Sequence, residues 1–319
     1  MRRILIIDAL NTYLRNYVVN PSLTDNGEPV GGVKGFLSSL QKNCREMNPT
    51  DVFIIWDGPG GSTKKKKIDR GYKEGRSPVR LNRNVRLLDE NAELENKIWQ
   101  QTRIIEYLNL MPVCQILVDQ VEADDIIAYL TQMPEFADDQ KIILSSDKDF
   151  LQCCDDKTII YQPIKKKFVS RKTILEDHKI HPNNFALARS MAGDKSDNLA
   201  GVQGIGMGTI TKRLPFLAEE KSYTIEELLD YCKQFPEDKM LQKIVNGEEE
   251  IKKGYKIMQL YSPNISYQTQ QKVRYSIDNY PKHFSKTFVL KMMIEDGINV
   301  GNWNDLFVYY KRLKLAEER

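Results

Sequence analysis

Nine carboxylates stand at the edges of apolar runs or in turn-rich stretches of this 319-residue chain: Asp8, Asp57, Glu122, Asp124, Asp125, Asp147, Asp149, Asp194 and Asp197. In Val121-Glu122-Ala123-Asp124-Asp125-Ile126, three acids fall within four positions, and Glu122 and Asp125, three apart, share one face of the helix this segment opens. One or two acids in a first turn would merely suit the helix dipole. Asp147 and Asp149 alternate across one residue after an apolar run, a pattern that alone reads as a turn or helix cap. Gly193-Asp194-Lys195-Ser196-Asp197-Asn198 adds two more carboxylates. Gathered in one cleft, such a set repels itself unless hard, oxygen-preferring cations such as Mg²⁺ or Mn²⁺ neutralise it. Zinc is disfavoured, because the three histidines, His178, His181 and His283, lie outside these motifs. The same absence argues against a Ser-His-Asp hydrolase.

Two such ions about 3.5–4 Å apart serve phosphodiester hydrolysis, with water as the acceptor. That chemistry also needs cations from the protein to engage the scissile phosphate. They are supplied by a segment from Gly58 to about Glu90 that is rich in Gly, Ser, Lys and Arg: Lys64 to Lys67, Arg70, Lys73, Arg76, Arg80, Arg83 and Arg86. An insertion of this length is either functional or a solvated loop. Lys165-Lys166-Lys167 reads as a hairpin tip in preference to a backbone-contact patch, and Phe284, Phe288, Tyr309 and Tyr310 as core in preference to base-stacking groups.

Positioning the acids requires a scaffold. Ile4 to Asp8, Val52 to Asp57, Val113 to Val118 and Ile142 to Ser145 are apolar runs separated by amphipathic stretches, the pattern of an α/β fold with a central, mostly parallel sheet flanked by helices. Ligand sites in such sheets lie beyond the carboxyl ends of the strands, where Asp8, Asp57, Asp147 and Asp149 fall. After Tyr161 the alternation ends, and helices are expected over Thr173–His178, Asn183–Ala192, Ile225–Gln234, Asp238–Ile244, Glu249–Tyr261, Phe284–Glu295 and Trp303–Leu315. The division expected is an α/β domain over 1–180, with its basic insertion at about 60–90, and a helical domain over 181–319. Net charge is only +3, a weak case for nucleic acid by itself. Five cysteines without paired spacing read as reduced thiols, and no apolar run is long enough to span a bilayer, so a cytoplasmic protein is expected.

The order of Asp8, Trp56-Asp57-Gly58, Tyr72-Lys73-Glu74-Gly75-Arg76, Val121 to Asp125, Ser146-Asp147-Lys148-Asp149-Phe150 and Gly193 to Gly206 resembles the 5′-nuclease (flap endonuclease) family, which includes the 5′-nuclease domains of bacterial DNA polymerases. The stand-alone bacteriophage members, the T4-type ribonuclease H/5′-exonuclease among them, look most similar. The motifs cover most of residues 1 to 213. The resemblance implies a PIN-like 5′-nuclease fold whose helical lobe holds a helix-three-turn-helix at about 190–215. It implies flap cleavage and 5′-to-3′ exonuclease action on branched or 5′-flapped DNA and on RNA-DNA hybrids, by a monomer that removes primers or flaps in replication alongside other replication proteins.

Carried over by motif, Asp8, Asp57, Glu122 and Asp124 would serve a first metal, and Asp147, Asp149, Asp194 and Asp197, with Asp125, a second. Lys73 and Arg76 would engage the scissile phosphate at the foot of an arch formed by the basic insertion, and Tyr72 would stack on a terminal base. Gly204 and Gly206, with Lys212 and Arg213, would grip duplex phosphates at a glycine hairpin whose carbonyls can coordinate K⁺. Family members carry a lysine soon after that hairpin. This chain has Met207-Gly208-Thr209-Ile210 instead, a departure that bears on both K⁺ and duplex binding. The alternatives are a PIN-type single-strand ribonuclease and a catalytically inactive protein that binds branched DNA. Length and the glycine hairpin weigh against the first, retention of every acid against the second.

Overall fold

The computed structural model describes residues 1–85 and 88–298, with positions 308, 311 and 313. Six strands form one sheet: β1 (Arg3–Asp8), β2 (Asp51–Trp56), β3 (Cys114–Leu117), β4 (Gln140–Leu144), β5 (Thr158–Gln162) and β6 (Lys167–Val169), in the order β3-β2-β1-β4-β5-β6. Every pairing is parallel except β5 with β6, a hairpin whose turn carries Lys165 and Lys166, as expected of that lysine run. Side chains alternate between two apolar cores. Ile4, Ile6, Phe53 and Ile55 enter one, while Leu5, Ile7, Ile54 and Trp56 enter the other, which is why the central strands read as unbroken apolar runs.

The first half supplies α1 (Ala9–Val19), α2 (Gly31–Met47), α3 (Thr63–Ile68), α4 (Glu90–Asn109) and α5 (Ala123–Gln132). The second supplies α6 (Arg171–His178), α7 (Pro182–Ala192), α8 (Met207–Arg213), α9 (Ile225–Lys233), α10 (Lys239–Asn246), α11 (Glu248–Met258), α12 (Tyr267–Asn279) and α13 (Lys286–Glu295). The helix α12 has no counterpart in the sequence reading: of its side chains only Thr269 and Val273 are buried, too few to mark a face. Of the expected Trp303–Leu315 helix only positions 308, 311 and 313 are described, each helical, and Tyr309, Tyr310 and Arg86 of the basic insertion lie outside the described residues. Phe284 packs at the edge of a core as expected, but Phe288 is 63% exposed and is not a core residue.

Helices beyond residue 180 share the sheet's cores. Phe185, Leu187 and Met191 of α7 pack with Ile4 and Phe53, and Val289 and Met293 of α13 pack on the opposite face. Strand connections run from β1 outward to β3 and then return across β1 to β4, so the topological switch lies between the carboxyl ends of β1 and β4. Asp8 ends the first of these strands, and Ser145, Asp147 and Asp149 follow the second.

Candidate active site

Asp8 closes β1 and caps α1, its Oδ1 accepting the Asn11 N–H at 3.1 Å. Its other oxygen accepts Ser145 Oγ at 2.9 Å, and Ser145 Oγ in turn accepts the Asp147 N–H at 3.1 Å. The buried Ser145 therefore joins the ends of β1 and β4. Asp57, just past β2, accepts the Ala123 N–H at 2.9 Å, which locks that strand end to the first turn of α5, where Glu122, Asp124 and Asp125 stand. Oxygens of those three acids lie within 4.8 Å of one another.

The later motifs come to the same place. Lys73 donates from its ammonium to Glu122 Oε1 at 2.5 Å and from its backbone N–H to the Asp197 carbonyl at 2.8 Å, so one residue ties the α5 acids to the 194–197 turn. It does so with φ +58°, in the left-handed region that side chains enter at a cost of roughly 1–2 kcal/mol. Arg76 pairs with Asp197. Arg189, on α7, bonds Asp194 and reaches Asp149 at 3.4 Å. Asp149 donates its backbone N–H to Asp147 Oδ1 at 2.8 Å, so hydrogen bonds and ion pairs link Asp8, Asp147, Asp149 and Asp194 on one side and Asp57, Glu122, Asp124, Asp125 and Asp197 on the other.

Two cations in this bowl are not singled out by the sequence: Arg189 not at all, and Lys65 only as one of the basic residues of the insertion. Arg189 is hidden because a lone arginine on an amphipathic helix carries no signal of its own. Lys65 is hidden in a run of four lysines. Yet Lys65 is 5% exposed, and its ammonium lies 2.7 Å from Glu122 Oε2, 2.8 Å from Asp124 Oδ2 and 3.8 Å from Asp125 Oδ2. The rotation of α3 explains this. Lys65 and Ile68 share a face, and Ile68 packs on Tyr72, Leu199, Ile257 and Met258, while Lys66 and Lys67 stay exposed.

Other basic residues of the insertion are also engaged. Arg80 pairs with Glu90 and Glu93, and Lys64 donates to the Asn264 carbonyl at 3.2 Å.

Tyr72 requires a correction. It is 2% exposed, donates to Glu122 Oε2 at 3.2 Å and has the Lys73 ammonium 4.9 Å from its ring centre, so in this structure it positions Glu122 and offers no free face to a base. Asp125 stands with Glu122 and Asp124, its Oδ1 accepting the Asn264 N–H at 3.0 Å and its Oδ2 3.8 Å from the Lys65 ammonium.

Electrostatics sort the acids. Asp124 is held below the ordinary carboxylate range: burial would raise it, but Lys65 and Lys73 prevail. Asp194 is lowered too, burial being outweighed by hydrogen bonds from Ser196 and by Arg189. Asp8 is pushed up to about 7 by burial, with repulsion from Asp57 and Asp147 adding to it. Asp57 is raised by burial and by repulsion from Asp124 and Glu122, against the pull of Lys73, and Asp147 by burial, then by Asp124 and Asp197, against the pull of Arg189. Asp149 rises to about 7 through burial and Asp147, against the pull of Arg189. Burial and neighbouring acids thus outweigh the cations that reach Asp8, Asp57 and Asp147, and no ion pair to any of them occurs among the described residues. An all-oxygen set short of positive charge fits a hard divalent cation.

The glycine hairpin precedes α8. Gly204 adopts φ +79°, which glycine alone enters freely, and Gly201 lies so close to Ala192 and Gly193 that a Cβ there would meet backbone at 2.4 Å. Lys212 is exposed, whereas Arg213 pairs with Asp238, the N-cap of α10, at 2.7 Å.

A parallel sheet that gathers carboxylates from the ends of β1, β2 and β4 at its switch point defines a class of α/β proteins built to hold hard cations. Within that class the family is specific. The family model of the 5′-3′ exonuclease, N-terminal resolvase-like domain, matches residues 3–180, and the chain belongs to that family. It is 30% identical over 213 residues to the thermostable DNA polymerase I of Thermus thermophilus, a match that covers 66% of this chain and 24% of the polymerase. The chain thus spans about a quarter of the length of such polymerases. It is 25% identical to the 5′-3′ exonuclease of Aquifex aeolicus over 82% of this chain and 83% of that one. Its fold is shared by a bacteriophage T5 flap endonuclease in a pseudo-enzyme-product complex with DNA and metal ions, with a TM-score of 0.63, 17% identity and full coverage of both chains. The T5 5′-exonuclease with bound zinc has a TM-score of 0.64, again at 17% identity, and covers 93% of this chain and all of that one. No helix among the described residues is long and apolar enough to cross a membrane.

Proposed function

We propose that this protein is a structure-specific 5′ nuclease that hydrolyses phosphodiesters in 5′-flapped or nicked DNA and in RNA-DNA hybrids, by flap cutting and by 5′-to-3′ exonuclease action. Its work in the cell is removal of primers or flaps during replication. The observation that supports the reading is that Asp8 and Asp147, joined through Ser145, and Asp57, joined to the first turn of α5, have no ion pair among the described residues, beside acids paired with Lys65, Lys73, Arg76 and Arg189.

Asp8, Asp57, Glu122 and Asp124 would hold one Mg²⁺ or Mn²⁺, and Asp147, Asp149, Asp194 and Asp197 a second. Such ions, when bound, polarise water and neutralise the scissile phosphate. Lys73 and Arg76, held here by Glu122 and Asp197, would engage the phosphate. Gly204 and Gly206 let the duplex backbone approach the chain, Lys212 adds charge, and Arg213 joins it on release from Asp238. The hairpin carbonyls bind K⁺.

The test is a labelled 5′-flap duplex incubated with and without Mg²⁺, beside the Asp147→Ala variant. Metal-dependent cutting near the junction, lost in the variant, is expected. Binding without cutting would make the protein a branched-DNA-binding protein instead.

A further inference from the structure

Glu122, Asp124 and Asp125 look, by distance alone, like the best-gathered cation site in the molecule, but a side chain already fills it. Lys65 contacts all three, is as buried as the core around it, and reaches them from α3, whose end is anchored to α11 by the Asp69–Lys253 ion pair at 2.8 Å. Glu122 spends one oxygen on Lys65 and the other on Lys73. Asp124 spends one on Lys65 and the other on the Asp125 N–H at 2.8 Å. Asp125 is closed off by Lys65 and Asn264. A flexible ammonium is poorly suited to burial unless its charge is used, and here three carboxylates use it.

We propose that Lys65 is a built-in counter-cation: its ammonium takes the place of a divalent ion among Glu122, Asp124 and Asp125, orients the first two toward Asp57, and thereby limits how many metal ions the bowl accepts. Lys65 is a positioning residue, since nothing places it against the reacting phosphate. Asp125 becomes its partner and is not a metal ligand. This inference rests on the reading of the bowl as a divalent-metal site.

The test compares wild type, Lys65→Met, Lys65→Gln and Lys65→Arg in the full chain without substrate, by Mn²⁺ titration calorimetry and by melting in EDTA and in Mn²⁺. Removing the charge leaves room and negative potential for an ion, so Lys65→Met is expected to bind one more Mn²⁺ per chain than wild type, or to bind its tightest ion about tenfold more strongly. It should also melt lower in EDTA and gain more from Mn²⁺ than wild type does. Lys65→Gln, which keeps a donor without the charge, should behave like Lys65→Met and stands in for it if that variant does not fold, while Lys65→Arg should restore the wild-type stoichiometry. Identical Mn²⁺ isotherms and identical metal-induced shifts for wild type and the neutral variants would overturn the proposal while leaving the metal site intact. A wild-type protein that binds no Mn²⁺ would overturn both.

Discussion

The Ser145 hydroxyl donates to Asp8 at 2.9 Å across the switch between β1 and β4, and the serine is wholly buried. Because the same oxygen accepts the Asp147 N–H at 3.1 Å, one hydroxyl sets the relative position of two acids 139 residues apart in the chain. Ser145→Ala should therefore weaken divalent-metal binding by about 10–100-fold, the usual cost of losing a group that orients a ligand. Mn²⁺ titration of the purified variant checks this. Unchanged affinity would mean that Asp8 and Asp147 hold their places without it.

Stability without metal should depend on pH in an unusual direction. Asp8 and Asp149 are raised to about 7 and Asp125 to about 6, so between their ordinary value of 3.8 and those values the folded chain keeps protons that the unfolded chain has released. Their contribution is fully present below about pH 4 and is lost as pH rises through 6 to 7. The lowered Asp124 and Asp194 act oppositely and are lost only in acid, below their ordinary range. His178 and His181, both lowered by burial, pull the other way and gain stability as pH rises through their ordinary value of 6.5, so the prediction is read in a His178→Gln/His181→Asn background, where melting in EDTA should fall from pH 5 to pH 8 and saturating Mg²⁺ should flatten or reverse the slope. A melting temperature in EDTA that rises over that window would contradict the charge deficit assigned to the bowl.

What could be read from the chain, and what could not, divides by range. The strands β1, β2 and β4 are apolar runs whose burial on both faces leaves a continuous signal, and an acid at the carboxyl end of each of β1 and β2 is local information. The pairing of Asp8 with Ser145, or of Asp57 with Ala123, follows once those strands are taken as parallel neighbours. Lys65 is different. Its neighbours Lys64, Lys66 and Lys67 are chemically identical, and only the docking of Ile68 beneath Tyr72 decides which lysine turns inward. Arg189, the loss of Tyr72 as a stacking surface and the closure of Asp125 by Asn264 all depend on contacts between distant segments, which no periodicity records.

Lys73 separates binding of metal from use of it. Its ammonium touches Glu122, and its left-handed backbone is held by Asp197, so Lys73→Ala should remove a cation from the phosphate's path without removing a metal ligand. Cleavage of a 5′-flap substrate is expected to slow by about 10²–10³-fold, typical of a lost donor to developing charge, while Mn²⁺ affinity does not fall. Single-turnover kinetics beside a metal titration distinguish the outcomes. If both parameters fall together, Lys73 organises the acids and takes no part in the chemistry.

The glycine hairpin offers a clean test of duplex contact, because its glycines are present for different reasons. A methyl group at Gly201 would strike backbone at 2.4 Å, so Gly201→Ala should destabilise the fold whatever the hairpin binds. Gly206 has nothing within 4 Å of such a group and an ordinary φ of −120°, so Gly206→Ala should leave the melting temperature nearly unchanged. A phosphate seated against its backbone would meet the new methyl group and lose a charged hydrogen bond worth about 1.5–3 kcal/mol, a drop in flap-duplex affinity of roughly 10–100-fold. Anisotropy measurements in EDTA read this directly. Unaltered affinity in a normally stable Gly206→Ala protein would remove the hairpin from the duplex interface and leave Lys212 and Arg213 as the cations of α8 to examine.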